Sequence, residues 1–240
     1  MLVVLGLWIR LRIAETPAYK AAVAHAAPPT VPLGVLVNKH LPALVAATAA
    51  VIAAFAIFYL STAFALGHMT LARGVPREAM LGVQLGANLF LALGILLAGI
   101  WADRTGAKKV LLFGAAGTVV LGLVFGPALA WGSLATVFAT LAFGMLVLGY
   151  VYGPLGAWMP TLFPVTVRYT GISVAFNGGG VIGGALAPVA AQWLSAQGGT
   201  QYAGLFLLAA GAVTLVGVAC GRLGRDHGVP DGPIPDGGMP

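Results

Sequence analysis

Charge is the scarcest property of this sequence. Only 8% of its 240 residues are Asp, Glu, Lys or Arg, against 60% hydrophobic residues, and only six side chains are acidic. The mean hydropathy is +0.98. Such a chain cannot surround a single water-soluble core with a charged surface. The composition therefore predicts an integral membrane protein whose surroundings are lipid.

Groups that carry catalytic or metal chemistry are equally scarce. The single cysteine, Cys220, lies in an apolar run and can form no internal disulfide. No histidine lies at mid-membrane to activate Ser173, and no HExxH or paired-carboxylate motif occurs. The histidines lie in connectors, at span ends or in the tail: His25, His40, His68 and His227. We therefore expect no enzyme activity, no cofactor and no metal site.

Basic residues outnumber acidic ones, twelve to six, but they are scattered between apolar runs. They form no stripe and no pattern typical of an RNA-binding or zinc-finger module. The sequence thus argues against a nucleic-acid partner.

Long apolar runs are what the sequence does have. A membrane helix needs about 20 apolar residues to cross about 30 Å of hydrocarbon. Six stretches meet this length: 41–67, 79–101, 110–129, 131–153, 170–194 and 202–221. They predict an all-α bundle of six transmembrane helices, with both ends of the chain on the same side of the membrane.

The basic residues divide unequally between the two sets of loops. One set carries only Arg73 and Arg77. The other set carries ten: Arg10, Arg12, Lys20, Lys39, Arg104, Lys108, Lys109, Arg168, Arg222 and Arg225. Loops rich in Lys and Arg stay in the cytoplasm. This asymmetry predicts a multi-pass protein of the inner membrane with both ends cytoplasmic.

The ends of the chain differ from the bundle. The apolar stretch 1–9 would span about 14 Å as a helix, less than half a bilayer, and reads as the stub of a preceding transmembrane helix. Residues 10–40 are polar and contain Pro28, Pro29 and Pro32, which is typical of a linker between two bundles. We expect the bundle to occupy 41–222 and the Gly/Pro-rich tail 223–240 to be disordered and cytoplasmic.

Two motifs carry a resemblance to a known family. GIWADRTGAKKVLL, at 99–112, resembles the cytoplasmic signature of the major facilitator superfamily. YGPLGAWMPTLFPVTVRYTGISVAFNGGGVIGGALAP, at 152–188, and AETPAY, at 14–19, resemble the metabolite:proton symporter family within it. The chain departs from the family pattern at Ala107, Thr161 and Thr166, which thins the charge network.

The resemblance implies that the chain is the C-terminal half of a twelve-span transporter, from the end of span six to span twelve. The whole protein would carry a small metabolite, such as an organic acid or a shikimate-like or betaine-like solute, together with protons. A missing or separate N-terminal six-helix bundle would be its partner. The resemblance also implies a cytoplasmic gate built from Gly99, Asp103, Arg104, Gly106, Lys108, Lys109 and Arg168.

From the residues alone, this charged turn has two interpretations. Asp103 could accept hydrogen bonds from a neighbouring helix N-terminus or from Arg168, and these bonds would hold the cytoplasmic side closed. Alternatively, Lys108 and Lys109 act only as a topology signal. A carboxylate adds nothing to that signal, so Asp103 favours the gate.

Polar residues inside the spans are the candidates for solute binding, because such residues face protein or a wet cavity rather than lipid. They are Tyr59, Thr62, Gln84, Asn88 and Asn177. Each could instead form only an interhelical hydrogen bond. Small residues at every fourth position predict a closely packed helix face: Gly171, Ala175, Gly179, Gly183 and Ala187. The GxGxxG spacing at 178–183 follows no strand, so we do not interpret it as a nucleotide site.

Three further readings stay open at this stage. The chain could work as a half-size transporter by pairing with itself or with a separately made N-terminal half, or it could be an inert or regulatory membrane fragment. No Asp, Glu, Lys, Arg or His lies in the interior of a predicted span, so this part of the chain lacks a proton relay. We therefore expect no transport by the chain alone.

Overall fold

The computed structural model describes residues 32–221, whose long elements are all helices. Six segments are long and apolar enough to cross a membrane. They are called the first to sixth spans: Leu33–Leu71, Arg77–Thr105, Ala107–Trp131, Leu134–Leu162, Val165–Gly198 and Thr200–Cys220. No strand occurs in this part of the chain. The predicted all-α fold with six membrane-spanning helices is confirmed.

The first span is interrupted by a π turn in its last third, and the fifth span by a π turn near its middle. In the first span, helices Pro32–Tyr59 and Ala65–Leu71 are joined by the π turn Leu60–Phe64. In the fifth, helices Val165–Gly180 and Leu186–Gly198 are joined by the π turn Val181–Ala185. Such turns place extra residues in a helix and are frequent at functional sites.

The second and third spans are the continuous helices Arg77–Thr105 and Ala107–Trp131. The fourth consists of Leu134–Tyr152, Leu155–Trp158 and the 3₁₀ turn Met159–Leu162, and the sixth of the 3₁₀ turn Thr200–Gly204 followed by Leu205–Cys220. The sequence predicts kinks at Pro154, Pro160 and Pro188, because proline lacks the helical N–H donor. The breaks in the fourth and fifth spans lie at or just before these prolines.

The start of the first span falls inside the segment predicted as a linker. The helix begins at Pro32, and His40 then departs from helical geometry with φ −125° and ψ 20°, two residues before Pro42. The irregular residue thus lies at the predicted boundary between linker and bundle. The predicted stub 1–9, residues 10–31 and the tail 223–240 lie outside the described residues.

The spans do not pack in chain order. The second packs against the fourth, the fourth against the third, the third against the sixth, the sixth against the first, and the first against the fifth. The first also contacts the fourth. The first and fourth spans therefore lie next to each other in the middle of this arrangement. The second and fifth spans, called here the side spans, lie on either side of them. The side spans are the most exposed, with 17% and 28% of their most apolar windows buried, against 44% to 56% for the others.

Small residues bring the backbones together at these contacts. The predicted packing face of the fifth span is buried throughout. A Cβ atom at Gly179 would lie 2.9 Å from the carbonyl oxygen of Thr48, and one at Gly183 would collide with the carbonyl oxygen of Ile52. Side chains at these positions would push the fifth span away from the first.

A hydroxyl group from the sixth span enters the backbone of the first span. Thr214 Oγ1 donates to the carbonyl oxygen of Ala49 at 2.7 Å and accepts from the amide of Ala53 at 3.1 Å. An α-helix would ordinarily bond this amide directly to this carbonyl. The buried hydroxyl therefore bridges one step of the helical ladder and ties the two spans together.

Candidate functional site

A cavity of about 250 Å³ lies where the first and fourth spans adjoin. Its lining comes from the first, second and fourth spans: Ala54, Phe55, Phe58, Tyr59, Leu91, Ile95, Leu148 and Tyr152. The residues of the first and second spans lie near the middle of those helices. A cavity at this position is far from both ends of these two spans.

A second cavity of about 320 Å³ adjoins the first, since Ile95 and Tyr152 line both. It continues along the end of the fourth span and reaches the fifth, lined also by Gly153, Leu155, Gly156, Met159, Pro160, Ile172 and Phe176. The two cavities together form one groove, called here the central groove, bordered by the first, second, fourth and fifth spans.

Aromatic rings from three spans meet in the central groove. Phe55 and Phe176 pack edge to face with ring centroids 5.2 Å apart, and Tyr152 packs on Phe176 at 6.5 Å. Tyr59 stacks on Phe55, also at 6.5 Å. These contacts add to the packing of the first span against the fourth and fifth spans. The rings offer apolar area and π faces, and the two phenols offer hydroxyl groups for hydrogen bonds.

The lining of the central groove carries no Asp, Glu, Lys, Arg or His among the described residues. In the same part of the chain, no group of three or more His, Cys, Asp or Glu side chains could hold a metal ion. Binding within this half of the groove therefore relies on packing, π faces and neutral hydrogen bonds.

The structure brings three of the five predicted solute ligands close together. Tyr59 lines the central groove. Thr62, three residues further on, donates its hydroxyl to the carbonyl oxygen of Phe58 at 2.6 Å. Gln84 reaches the same stretch from the second span and donates to the carbonyl oxygens of Ser61 and Thr62. Gln84 is buried and does not line the groove.

The other two predicted ligands lie on the side spans. Asn88 is exposed on the second span, one helical turn after Gln84. Asn177 is exposed on the fifth span and donates to the carbonyl oxygen of Ser173 at 2.8 Å. Exposed amides in the middle of apolar spans are costly in hydrocarbon, so these faces favour contact with protein or water.

Sequence reasoning missed most of the aromatic lining. Phe55, Phe58, Tyr152 and Phe176 were not among the predicted ligands, because single aromatic residues are common throughout apolar spans. The succession of Phe55, Phe58 and Tyr59 within about one helical turn was a usable signal. No comparable sequence pattern links these three residues with Tyr152 or Phe176, which belong to other spans.

The charged turn between the second and third spans consists of a single non-helical residue. Gly106 has φ 90° and ψ 141°, which other residues rarely adopt. Its amide donates to the carbonyl oxygen of Ala102 at 2.8 Å. Gly106 thus allows two long helices to reverse direction within one residue.

The predicted gate residues around this turn have different partners. Lys108 Nζ donates to the carbonyl oxygens of Ala219 and Gly221, at 3.0 and 2.9 Å, and so caps the end of the sixth span. Arg168 Nε, in the first turn of the fifth span, donates to the carbonyl oxygen of Phe163 just before that span, at 3.2 Å. The remaining members are Gly99, which is half-buried, and Asp103, Arg104 and Lys109, which are exposed.

Comparison with curated proteins identifies relatives of the chain. It is 32% identical over 221 residues to the inner membrane metabolite transport protein YhjE of Escherichia coli K12, a match covering 90% of this chain and 50% of that protein. A putative metabolite transport protein of Haemophilus influenzae is 30% identical over 218 residues, covering 86% and 50%. The chain is a relative of metabolite transport proteins of the major facilitator type.

More distant relatives carry more specific names. A putative proline/betaine transporter of Staphylococcus haemolyticus is 26% identical over 215 residues, covering 88% of this chain and 45% of that protein. The chain spans about half the length of the curated relatives it matches. No family model matches the chain, and the search of solved structures gave no significant match. With its six spans, the chain is a multi-pass membrane protein, and the relatives named here are transport proteins.

Proposed function

We propose that this chain forms one of two walls of a pathway that carries a small metabolite across the inner membrane together with protons. The observation that carries this proposal is the central groove, which is bordered by the two exposed side spans. A groove of this kind, covered by a second wall, would enclose a solute and could open alternately to either side. Organic acids, shikimate-like solutes and betaine-like solutes are the candidates.

The second wall would be an N-terminal six-helix bundle docked on the second and fifth spans. These spans are the least buried, and each exposes an amide side chain, Asn88 or Asn177. A partner bundle would shield both amides from lipid and complete the solute site with Tyr59 and Tyr152. The matched length, about half of each relative, supports a partner of similar size.

Proton coupling would also depend on the second wall. A coupled transporter needs a titratable group that the solute pathway can reach. The described lining of the central groove offers no Asp, Glu, Lys, Arg or His for this role. We therefore place the proton-binding group on the partner bundle, and expect this chain alone to accumulate no solute.

The charged turn would act as the cytoplasmic gate of the complete protein. Asp103, Arg104 and Lys109 are exposed at the end of the bundle, where a docked partner could meet them. Lys108 and Arg168 would support the gate indirectly, because they hold the helix end and the connector beside it. Bonds from Asp103 to the partner would favour the state closed to the cytoplasm.

Uptake into proteoliposomes tests the proposal. Residues 1–240 would be reconstituted alone and as a fusion behind the N-terminal half of the E. coli relative, with an inward proton gradient. Labelled shikimate, 2-oxoglutarate and betaine would be offered in turn. We expect accumulation of one of them by the fusion, its loss on adding an uncoupler, and none by the chain alone.

Two results would contradict this proposal. Uncoupler-sensitive uptake by 1–240 alone would show that the chain assembles a complete pathway, for example as a pair of copies. A fusion that is folded and correctly inserted, yet neither binds nor moves any of the three solutes, would rule out the proposed solute classes.

A further inference from the structure

The π turn of the first span lies directly beside the central groove. It occupies Leu60–Phe64, and the residue before it, Tyr59, lines the groove. A π turn holds one residue more than an α-helical turn, so it rotates the helix before it relative to the helix after it by about 100°. The π turn thus determines which face of the first span, at Tyr59 and its neighbours, lines the groove.

The turn takes the α-helical donor away from one carbonyl group, because the amide of Ala65 donates to the carbonyl oxygen of Leu60 rather than to that of Ser61. Lipid offers no hydrogen-bond donors, so an unpaired carbonyl within a span is costly. The hydroxyl of Ser61 does not supply this hydrogen bond, because it is fully buried and has no hydrogen-bond partner among the described residues. Stabilisation has to come from another span.

Gln84 of the second span supplies both donors of its amide group. Its Nε2 donates to the carbonyl oxygen of Ser61 at 2.9 Å and to that of Thr62 at 2.8 Å. The side chain is 9% exposed and lines neither cavity of the groove. A primary amide has only two N–H donors, so neither is left for a solute.

We propose that Gln84 is a positioning residue, which holds the π turn at Leu60–Phe64 and thereby fixes Tyr59 on the wall of the solute site. The role of Tyr59 in a solute site rests on the transport function proposed above. The contact between Gln84 and the π turn does not depend on that function. It replaces the sequence-based hypothesis that Gln84 binds solute directly. The two roles differ in what removal of the amide does to the empty protein.

Cysteine labelling in the full chain separates the two roles. In a Cys220→Ser background, Tyr59→Cys and Tyr152→Cys place one probe each on two different spans that line the groove. Their rates of reaction with N-ethylmaleimide are compared with and without Gln84→Met, which keeps the side-chain length but removes both donors. We expect the rate at position 59 to change by about tenfold, since two hydrogen bonds are lost, and the rate at position 152 to stay the same.

Hydrogen exchange provides a second readout on the same protein without engineered cysteines. Gln84→Met should speed exchange of the amides in the π turn by about tenfold, with little change in the other spans. Thr118→Val is the matched control. It removes a buried hydroxyl that bonds only to Gly114 of its own helix, so exchange in the π turn should not change.

Unchanged labelling at position 59 together with unchanged exchange in the π turn would overturn the proposal. Equal changes at positions 59 and 152 would also overturn it, because they would indicate a general loosening of the bundle. If Gln84→Met does not fold, Gln84→Asn serves instead, since it keeps the amide but is one methylene too short to reach both carbonyls. None of these measurements needs a solute, so failure here is distinguishable from failure of the transport proposal.

Discussion

Gly149 and Gly94 bring the backbones of the fourth and second spans into direct contact. A Cβ atom at Gly149 would lie 2.5 Å from the carbonyl carbon of Gly94, and one at Gly94 would lie 2.5 Å from the carbonyl oxygen of Leu146. Both glycines are helical, so the requirement is space rather than backbone conformation. Without the hydrophobic effect between spans, such close packing is what holds membrane helices together.

Gly149→Ala should therefore lower the stability of the bundle by about 1 to 3 kcal/mol, as overpacking does in other close contacts. Thermal unfolding of the purified protein in detergent measures the change. Gly82→Ala is the control in the partner span, because nothing lies within 4 Å of a Cβ there. Equal effects of the two substitutions would show that this contact does not hold the spans together.

At the level of single elements, the first span contains two stretches whose backbone bonds to side chains of other spans. The π turn lies beside the central groove, and about two helical turns earlier Thr214 bonds to both the amide of Ala53 and the carbonyl oxygen of Ala49. Both stretches form hydrogen bonds with a side chain from another span. Neither can be predicted from the first span alone, since its local sequence is compatible with an unbroken helix.

Thr214→Val should destabilise the contact between the first and sixth spans by about 1 kcal/mol, because it buries an amide and a carbonyl without their bridging hydroxyl. Thr214→Ser keeps the hydroxyl and should behave almost like the natural protein. Detergent unfolding of both variants and of Thr118→Val measures the difference. A loss with serine as large as that with valine would indicate that the methyl group, not the bridge, is what matters.

Across the whole molecule, packing order decides where the groove lies. The first and fourth spans are apart in the chain but adjacent in the bundle, and the second and fifth border them on either side. The contacts at the ends of the bundle are equally specific. Lys108 ties the turn after the second span to the end of the sixth, so both lie on the same side of the membrane.

The distribution of basic residues predicts that this side is cytoplasmic. Cys220, the exposed single cysteine at the end of the sixth span, reports on it directly. A membrane-impermeant maleimide should label it in inverted vesicles and not in right-side-out ones. Ala72→Cys in a Cys220→Ser background should give the opposite pattern, and the reverse result would overturn the orientation.

Some features of the site were accessible from sequence at particular residues. Gly106 was predicted within the charged turn, and it is the single residue that reverses the chain there. Tyr59 was predicted as a solute ligand, and it does line the groove, although its contact with solute stays a prediction. Gln84 was predicted for the same role, but its donors point to the backbone of the first span, which no pattern within the second span reveals.

The sequence by itself determined that the chain crosses a membrane six times, because hydropathy and length are local properties of each span. It also determined the sharp turn at Gly106 and the small-residue face of the fifth span. Tertiary structure alone decided which spans are neighbours, that aromatic rings from three of them form the central groove, and that Gln84 serves the π turn. These outcomes depend on contacts between residues far apart in the chain, and six apolar helices can be packed in many orders that fit the same hydropathy.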